Sequence, residues 1–322
     1  MKEYRFHPEQ LAPEARRPGI SAIMRLRDSA DFLEPVIATH APYFDEIVAV
    51  HNQCTDGTPE ILEALRARYP DKLRVFHYEP RVHPSGTPEH MAEPADSPHS
   101  LVNYSNFALA RSTCRIVALL DDDHIGIERH VRSVTEAVRA RGHLGREMVC
   151  VSGINLDRSA DGSVEVHAAA PFAGNGDHGY FEVTRKTYFE HDRKFERLRY
   201  EEFRRRFWGM AYWHLKFLKQ GYGFANYELD RNPDSRYGRH RQRFLDARRT
   251  VPIESFVGAT RPWRSLASLA GALPLPERMR LKLTRYARVG STIDPADIEA
   301  LRALVPDEAQ ESSVAKTVTE PL

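Results

Sequence analysis

Short apolar runs alternate with longer amphipathic stretches through the first 120 residues. Four runs have the length and the bounds of buried strands: residues 20–26, 46–50, 73–78 and 115–120. Apolar residues at helical spacing lie between these runs, in stretches that begin near Ser29, Pro59 and Ser100. Strands that alternate with helices predict βαβ crossovers and a mostly parallel sheet covered by helices. The predicted fold class is therefore α/β, with a single sheet at its centre.

The second half of the chain has a different pattern. Residues 148–154 and 180–184 are predicted strands, and residues 203–218, rich in aromatic side chains and arginine, are predicted to form a helix. The domain prediction reads in chain order: a lead-in over 1–17, one α/β domain over 18–253, a helical C-terminal extension over 254–305 and a disordered tail over 306–322.

Composition and charge exclude several classes of protein. The 322 residues include 46 Lys and Arg against 45 Asp and Glu, so the net charge is +1 and no general basic field favours nucleic acid as a partner. No apolar run reaches the roughly 20 residues that a membrane-spanning helix needs. Cys54, Cys114 and Cys150 are isolated from one another, which argues against a disulfide framework. We expect a cytoplasmic protein.

The strongest chemical signal follows the fourth predicted strand, where Asp121, Asp122 and Asp123 are consecutive. In open parallel sheets, ligands bind beyond the carboxyl ends of the strands. Three adjacent carboxylates repel one another unless a cation or positive side chains neutralise them. Oxygen ligands of this kind suit Mg²⁺ or Mn²⁺. The alternative is a polar strand-to-helix turn in which aspartates cap the helix.

Three segments have a family resemblance. They are Arg25-Leu26-Arg27-Asp28 at the end of the first strand, residues 45–58 ending in Asp56-Gly57-Thr58, and residues 106–110 running into Leu120-Asp121-Asp122-Asp123. In order and spacing they resemble the first-strand segment, the D-[DN]-x-S-x-D-G-T turn and the D-x-D motif of family 2-type glycosyltransferases with the glycosyltransferase-A fold. The resemblance covers residues 18–130, which it makes the nucleotide-sugar half, and leaves 131–253 as the acceptor half.

The resemblance also implies roles for single residues. The nucleotide sugar is expected to contact Arg25, Arg27, His51, Asn52, Asp56, Asp121 and Asp122. A Mn²⁺ or Mg²⁺ ion is expected to bind Asp123 and Asp121, with His214 as the late histidine that some members, often retaining ones, add to the metal site. Members usually have an acidic residue at the position of His51, where it commonly contacts the nucleobase, so the resemblance leaves the identity of the nucleobase open. For either arginine, a solvated side chain at a strand end is the alternative.

The general base is less clear from the sequence. Inverting members usually carry an acidic pair about a dozen residues before a Gly-Tyr, but no such pair stands at that distance before Gly221. The nearest carboxylates upstream are Glu201 and Glu202, and the alternative is that they are a solvated surface pair. Asp177 and His178 offer another base, because an imidazole has a pKa suited to proton abstraction.

The expected function is metal-dependent transfer of a sugar from a nucleoside-diphosphate sugar, with UDP as the first choice, to a glycan or lipid-linked acceptor. The resemblance favours an inverting reaction over a retaining one. Two alternatives are a sugar nucleotidyltransferase and a catalytically inactive glycan-binding homologue. Residues 276–290 have apolar and basic faces at helical spacing, which predicts a peripheral contact with the inner face of the membrane or, alternatively, packing on the catalytic domain.

Overall fold

The structure is a computed structural model that describes residues 4–174, 178–191, 196–199, 204–260, 279 and 293–307, except for the side chain of Arg236. Three predictions fall largely outside these ranges. They are the helical extension over 254–305, of which 254–260, 279 and 293–305 are described, the membrane-contact segment 276–290, apart from Met279, and the tail 306–322 beyond Asp307. Within the described residues, no helix has both the length and the apolar character that spanning a bilayer requires.

The first part of the chain alternates strands and helices as predicted. The elements are β1 Arg17–Leu26, α1 Leu33–His40, β2 Glu46–His51, α2 Thr58–Arg68, β3 Leu73–His77, α3 Pro88–Ala92, α4 Leu101–Arg111 and β4 Cys114–Leu119. β1 pairs in parallel with both β2 and β4, and β2 pairs in parallel with β3. The order β3-β2-β1-β4 therefore forms a parallel centre with β1 inside it.

The second part extends this sheet with strands of mixed direction. Its elements are β5 His124–Gly126, α5 Glu128–Arg141, β6 Glu147–Arg158, β7 Val164–His167, β8 Phe172–Ala173, β9 Gly179–Glu182, β10 Phe189–His191, β11 Glu196–Leu198, β12 Arg204–His214, α6 Arg236–Asp246, β13 Thr250–Val251, α7 Ile253–Thr260 and α8 Pro295–Leu304. β9 lies antiparallel between β4 and β6, and β12 runs parallel to β6 and antiparallel to β5. The predicted α/β class, a mostly parallel central sheet flanked by helices, is confirmed.

The predicted helix over residues 203–218 is wrong, because β12 occupies most of this stretch. Met210 to Trp213 are buried on both faces of the sheet, so the stretch shows no alternation of apolar and polar residues that would indicate a strand. A short apolar run of this kind cannot be assigned to a strand or a helix from periodicity alone. Because this stretch is a strand, its last residue, His214, lies at the edge of the sheet formed by the carboxyl ends of the parallel strands.

Each face of the sheet has its own apolar core. On β1, Ala22 and Met24 belong to one cluster together with Val134 of α5, while Ile23 belongs to the other cluster with Val102 of α4. This alternation follows from the two-residue period of a strand. Burial on both faces fixes the register of β1, and with it the position of the polar residues that follow Leu26.

Helix α8 lies within the region predicted as a helical C-terminal extension, and it has a capped start. The Asp294 side chain accepts a hydrogen bond from the backbone N–H of Asp297, and Pro295 occupies the first turn. Arg129 of α5 in turn donates to Asp297, with 2.6 Å between Nη2 and Oδ2. The last described helix is therefore attached to the α/β domain through charged hydrogen bonds as well as through apolar contacts.

Candidate functional site

The topology of the sheet creates a crevice beside β1. β2 lies on one side of this strand and β4 on the other, so the chain leaves the carboxyl ends of β1 and β4 in opposite directions. A cavity of about 750 Å³ opens there. Its lining comes mainly from residues 25–31, 52–56, 82–85, 121–123 and 214–227, most of which follow the carboxyl ends of strands. The sequence analysis predicts that the ligand binds in this crevice.

The three consecutive aspartates line this cavity in different states. Asp121 is partly exposed, with 39% of its side-chain area accessible, whereas Asp122 and Asp123 are largely enclosed. Asp122 Oδ2 lies 2.6 Å from Lys219 Nζ. Burial raises the pKa of the Asp122 carboxyl, although Lys219 opposes the shift. The acidic run is therefore not a simple helix cap, since each carboxylate faces a different set of charges.

Asp123 is the most constrained of the three. The residue is 8% exposed, and its Oδ1 is buried without a hydrogen bond from any residue that the structure describes. His214 Nε2 lies 3.5 Å from this oxygen. Burial opposes ionisation, but the facing His214 holds the pKa of Asp123 well below its ordinary value. A buried carboxylate oxygen without a donor is costly unless a cation compensates its charge.

Histidines surround the acidic run. His124, on β5, lies with Nε2 3.7 Å from Asp123 Oδ1 and 3.9 Å from Asp121 Oδ2. His178 Nε2 lies 3.8 Å from Asp121 Oδ2. The side-chain donors fall into two groups, Asp121 with His124 and His178, and Asp123 with His124 and His214; within each group all donor atoms lie within 4.8 Å of one another.

His214, at the end of β12, is oriented by a neighbour on β6. Its Nδ1 is hydrogen-bonded to the amide oxygen of Asn155. Because an amide oxygen only accepts, Nδ1 carries a proton, and Nε2 is the ring nitrogen that faces Asp123. A carboxylate that holds the second nitrogen of a metal-binding histidine is common in metal sites, and an amide oxygen serves the same purpose here.

These residues fit a divalent cation. Carboxylate oxygen and neutral imidazole nitrogen are ligands for first-row divalent metals, and Asp123 Oδ1 is an enclosed acceptor that lacks a donor among the described residues. Of the predicted ligands, Asp121, Asp123 and His214 are brought together. His124 was not predicted from the sequence, and no sequence signal separates it from an ordinary residue at a strand start, because its position depends on the pairing of β5 with β12.

Basic side chains line the same cavity. Arg25 Nη1 lies 2.6 Å from Glu196 Oε1, and Arg27 Nη2 lies 3.3 Å from Glu228 Oε1. Both arginines contribute to the lining, as predicted for residues at the end of β1. Cationic groups beside a metal site suit an anionic ligand such as a diphosphate.

Lys216 and Lys219 add two cations that the sequence reading did not include. Both line the cavity immediately after β12, and Lys216 Nζ lies 4.1 Å from the ring centroid of Phe224. Burial lowers the pKa of Lys216, while the charges of Asp123 and Asp121 favour its ammonium form. The two lysines were missed because residues 203–218 were predicted to be a helix, which hid the fact that they follow the carboxyl end of a strand.

The predicted contacts after β2 have structural partners. Asp56 accepts hydrogen bonds from the backbone N–H groups of Ala30, at 2.9 Å, and Thr58, at 3.0 Å. Asn52 donates from Nδ2 to the carbonyl oxygens of Tyr78 and Pro80. Both side chains line the cavity and shape its wall.

His51 lies apart from the other predicted residues. Its ring stacks on His77 of β3, with 4.8 Å between centroids and 7° between planes, and it does not belong to the described cavity lining. Burial lowers the pKa of His51. The ring of His51 therefore contacts the neighbouring strand β3 and not the cavity.

The predicted general bases are only partly described. Glu201, Glu202 and Asp177 lie outside the described residues, whereas His178 lines the cavity. Glu196 is a further carboxylate of the lining, which the sequence reading did not single out because nothing in its local sequence connects it with Arg25.

No protein-family model matches this chain, and no curated protein matches it. Solved structures do match. Staphylococcus aureus TarS 1–349 is 12% identical with a TM-score of 0.39, over 83% of this chain and 70% of that one. Glucosyl-3-phosphoglycerate synthase from Mycobacterium tuberculosis, in complex with Mn²⁺, UDP and phosphoglyceric acid, is 20% identical with a TM-score of 0.28. The match covers 47% of each chain, so this chain spans about half the length of that one. Likeness at this level carries no inference about activity, and the function rests on the cavity itself.

Proposed function

We propose that this chain is a metal-dependent glycosyltransferase that moves a sugar from a nucleoside-diphosphate sugar, with UDP as the first choice, to a glycan or lipid-linked acceptor. One observation carries the proposal: an acidic and histidine-rich cluster and a set of basic side chains share one cavity at the switch point between β1 and β4. A diphosphate with a divalent cation is the ligand whose charges match both sets.

Different residues of the cavity would bind the metal ion and the phosphate oxygens of the diphosphate. Asp121, Asp123 and His214 would hold Mn²⁺ or Mg²⁺, which when bound supplies a Lewis acid for the departing diphosphate. Lys216 and Arg27 can donate charge-assisted hydrogen bonds to phosphate oxygens from the wall of the cavity. Such interactions strengthen as negative charge develops on the leaving group, and this is the kind of binding that accelerates a reaction.

For the transfer to the acceptor, we propose inversion at the anomeric carbon of the donor sugar. Glu201, Glu202, Asp177 and His178 are the candidate bases, and His178 lines the cavity beside Asp121. The alternative is a retaining reaction at the same metal site, which would need no conventional base. Residues 276–290 remain a predicted membrane contact for a lipid-linked acceptor, and flotation of the full chain with anionic liposomes tests it.

The test is turnover of a panel of nucleotide sugars with and without Mn²⁺, comparing the natural chain with Asp123→Ala. We expect Asp123→Ala to lose about 10²-fold or more of the activity, since losses of that size are typical when a group that stabilises developing charge is removed. Asp71→Ala is a matched control, because Asp71 is an exposed carboxylate outside the cavity lining. Full activity in Asp123→Ala, or in excess chelator, contradicts the proposed mechanism.

Adding nucleoside triphosphates with sugar phosphates to this panel separates the alternatives. A nucleotidyltransferase would consume a nucleoside triphosphate and a sugar phosphate and release pyrophosphate, whereas a glycosyltransferase releases a nucleoside diphosphate. An inactive glycan-binding homologue would turn over none of these substrates.

A further inference from the structure

Positive charge is concentrated in one segment of the chain, residues 231–249. The segment contains seven arginines and two aspartates, with no lysine and no glutamate, so its net charge is +5. Because the whole chain carries +1, the rest of the chain has a net charge of −4. A charge asymmetry of this size indicates a surface that attracts an anionic partner.

Helix α6, within this segment, presents its arginines to solvent. Phe244 is half-buried, and its ring centroid lies 4.8 Å from that of Phe217 in the segment that follows β12. Arg239 and Arg243, which are one turn apart, are both exposed. The apolar face of α6 therefore packs on the protein, and the face that carries these two arginines lies in solvent.

The exposed arginines of the segment lack the partners that arginines have elsewhere on the surface. Within the part of the chain that the structure describes, no carboxylate pairs with Arg239, Arg243 or Arg249. Arg239 and Arg243 each donate to a backbone carbonyl oxygen of the segment instead. Several other exposed arginines are paired with a carboxylate at 2.5–2.8 Å, in the pairs Arg5–Asp96, Arg66–Glu63, Arg132–Glu128 and Arg185–Glu14. The charge of α6 is thus left to be neutralised by a partner from outside the chain.

This basic surface adjoins the candidate site. Tyr237 of α6 packs against Tyr227, with 5.0 Å between ring centroids, and Tyr227 lines the cavity. At this point α6 is in direct contact with the wall of the cavity. The helix also lies within residues 131–253, which the family resemblance predicts to be the acceptor half. The position of the surface therefore suits an acceptor whose reacting end enters the cavity.

The chemistry of the surface narrows the class of acceptor. A guanidinium group donates paired hydrogen bonds that match the oxygens of a carboxylate or a phosphate. A membrane surface is also anionic, but a helix that lies in a lipid interface buries its apolar face in the lipid, and the apolar face of α6 packs on Phe217. We infer that α6 binds the acceptor, and that the acceptor is a glycan chain with repeated carboxylate or phosphate groups. The inference rests on the proposed function, which leaves the charge of the acceptor open.

The test measures binding of an acidic glycan without donor and without metal. The full chain is titrated into a fluorescently labelled polygalacturonate oligosaccharide, and the fluorescence anisotropy is followed. A neutral maltooligosaccharide of the same length is the control ligand. We expect the acidic chain to bind, and its affinity to fall as NaCl is raised, because salt screens exposed charges. Equal affinity for the neutral chain would overturn the inference.

Linear polyphosphate serves as the phosphate-bearing probe in the same assay. Tighter binding of polygalacturonate assigns the surface to carboxylates, and tighter binding of polyphosphate assigns it to phosphates. If neither probe binds, the inference is wrong.

A triple variant tests whether α6 is the surface that binds. It replaces three exposed arginines by glutamine, at Arg239, Arg243 and Arg249. An exposed ion pair typically changes an equilibrium constant by up to about fivefold, so the loss of three should weaken binding by about tenfold or more. The control variant removes the same charge from exposed arginines outside the segment, at Arg66, Arg68 and Arg185. Wild-type affinity in the folded α6 variant, or an equal loss in the control variant, would overturn the inference.

Two other polyanions complete the test. Phosphatidylglycerol vesicles and a single-stranded DNA oligonucleotide are each offered to the natural chain and to the α6 variant. If either binds more tightly than both acidic probes and loses this binding in the variant, α6 belongs to a membrane or nucleic-acid contact and the inference fails.

The outcomes separate this inference from the proposed function. If a nucleotide sugar is turned over but neither acidic probe binds, the inference fails and the function stands. If α6 binds an acidic probe but no nucleoside diphosphate binds in the cavity, the basic surface stands and the proposed function fails.

Discussion

Gly153→Ala places one methyl group against Tyr212, the ring on which His124 of the acidic and histidine-rich cluster stacks. The added Cβ would lie 2.2 Å from Cε2 and 2.3 Å from Cδ2 of Tyr212, and 2.8 Å from its carbonyl oxygen. Carbon atoms in good contact are about 3.5–4.0 Å apart, so the ring would have to move by more than about 1 Å. Tyr212 is 3% exposed, so the ring would have to move within the core.

Two effects of this substitution can be estimated. Extra methyl groups in a well-packed core typically cost about 1–3 kcal/mol of stability. The same displacement moves the ring on which His124 stacks at 3.8 Å. Because changes in the support of a metal ligand commonly cost about 10- to 100-fold in affinity, we expect a loss of Mn²⁺ affinity in this range.

The assay combines chemical denaturation with Mn²⁺ titration of the metal-free chain. Gly258→Ala is the control: it lies within α7, has ordinary backbone angles, and its Cβ would meet nothing within 4 Å. It should gain up to about 1 kcal/mol from improved helix propensity and leave Mn²⁺ affinity unchanged. Wild-type stability and wild-type Mn²⁺ affinity in Gly153→Ala would refute the supporting role of Tyr212.

Two further substitutions test the charges around the fold. Lys216→Met should weaken UDP binding, measured by calorimetry, by about tenfold or more, because hydrogen bonds to charged groups contribute about 1.5–3 kcal/mol. Lys186 is an exposed lysine outside the cavity lining, so Lys186→Met should leave UDP binding unchanged. Burial lowers the pKa of His40 from 6.5 to about 4, so protonation opposes folding and stability falls as the pH drops from 6.5 towards 4. Over that range the free energy of unfolding of the natural chain should fall by about 3 kcal/mol more than that of His40→Asn. The asparagine keeps a donor for the carbonyl oxygen of Val36. Equal pH dependence of the two unfolding free energies would contradict this prediction.

The first half of the fold was predictable because its signals are local. The strands that become β1 to β4 are short apolar runs bounded by polar turns, and their parallel order brings Arg25 and Asp121 to the same edge. The rule that ligands bind at the carboxyl ends of parallel strands then places the site without any knowledge of packing.

The rest of the site depends on contacts that the sequence pattern does not contain. β12 is buried on both faces at Met210 to Trp213, so its period did not distinguish a strand from a helix, and Lys216 was lost with it. His124 reaches the cluster because β5 pairs with β12, and His178 because it stands at the start of β9, between β4 and β6. Such juxtapositions come from long-range pairing, which local periodicity does not report.

Calorimetric titration of the metal-free full chain with UDP, in the presence and absence of Mn²⁺, tests the central claim most directly, with GDP as the second nucleotide. The account predicts binding that requires Mn²⁺ and that, at a nucleotide concentration 100 times Kd, adds about 2.7 kcal/mol to the free energy of unfolding. Asp123→Ala should abolish the metal-dependent part. Failure of every nucleoside diphosphate to bind in the presence of Mn²⁺ or Mg²⁺ would contradict the account.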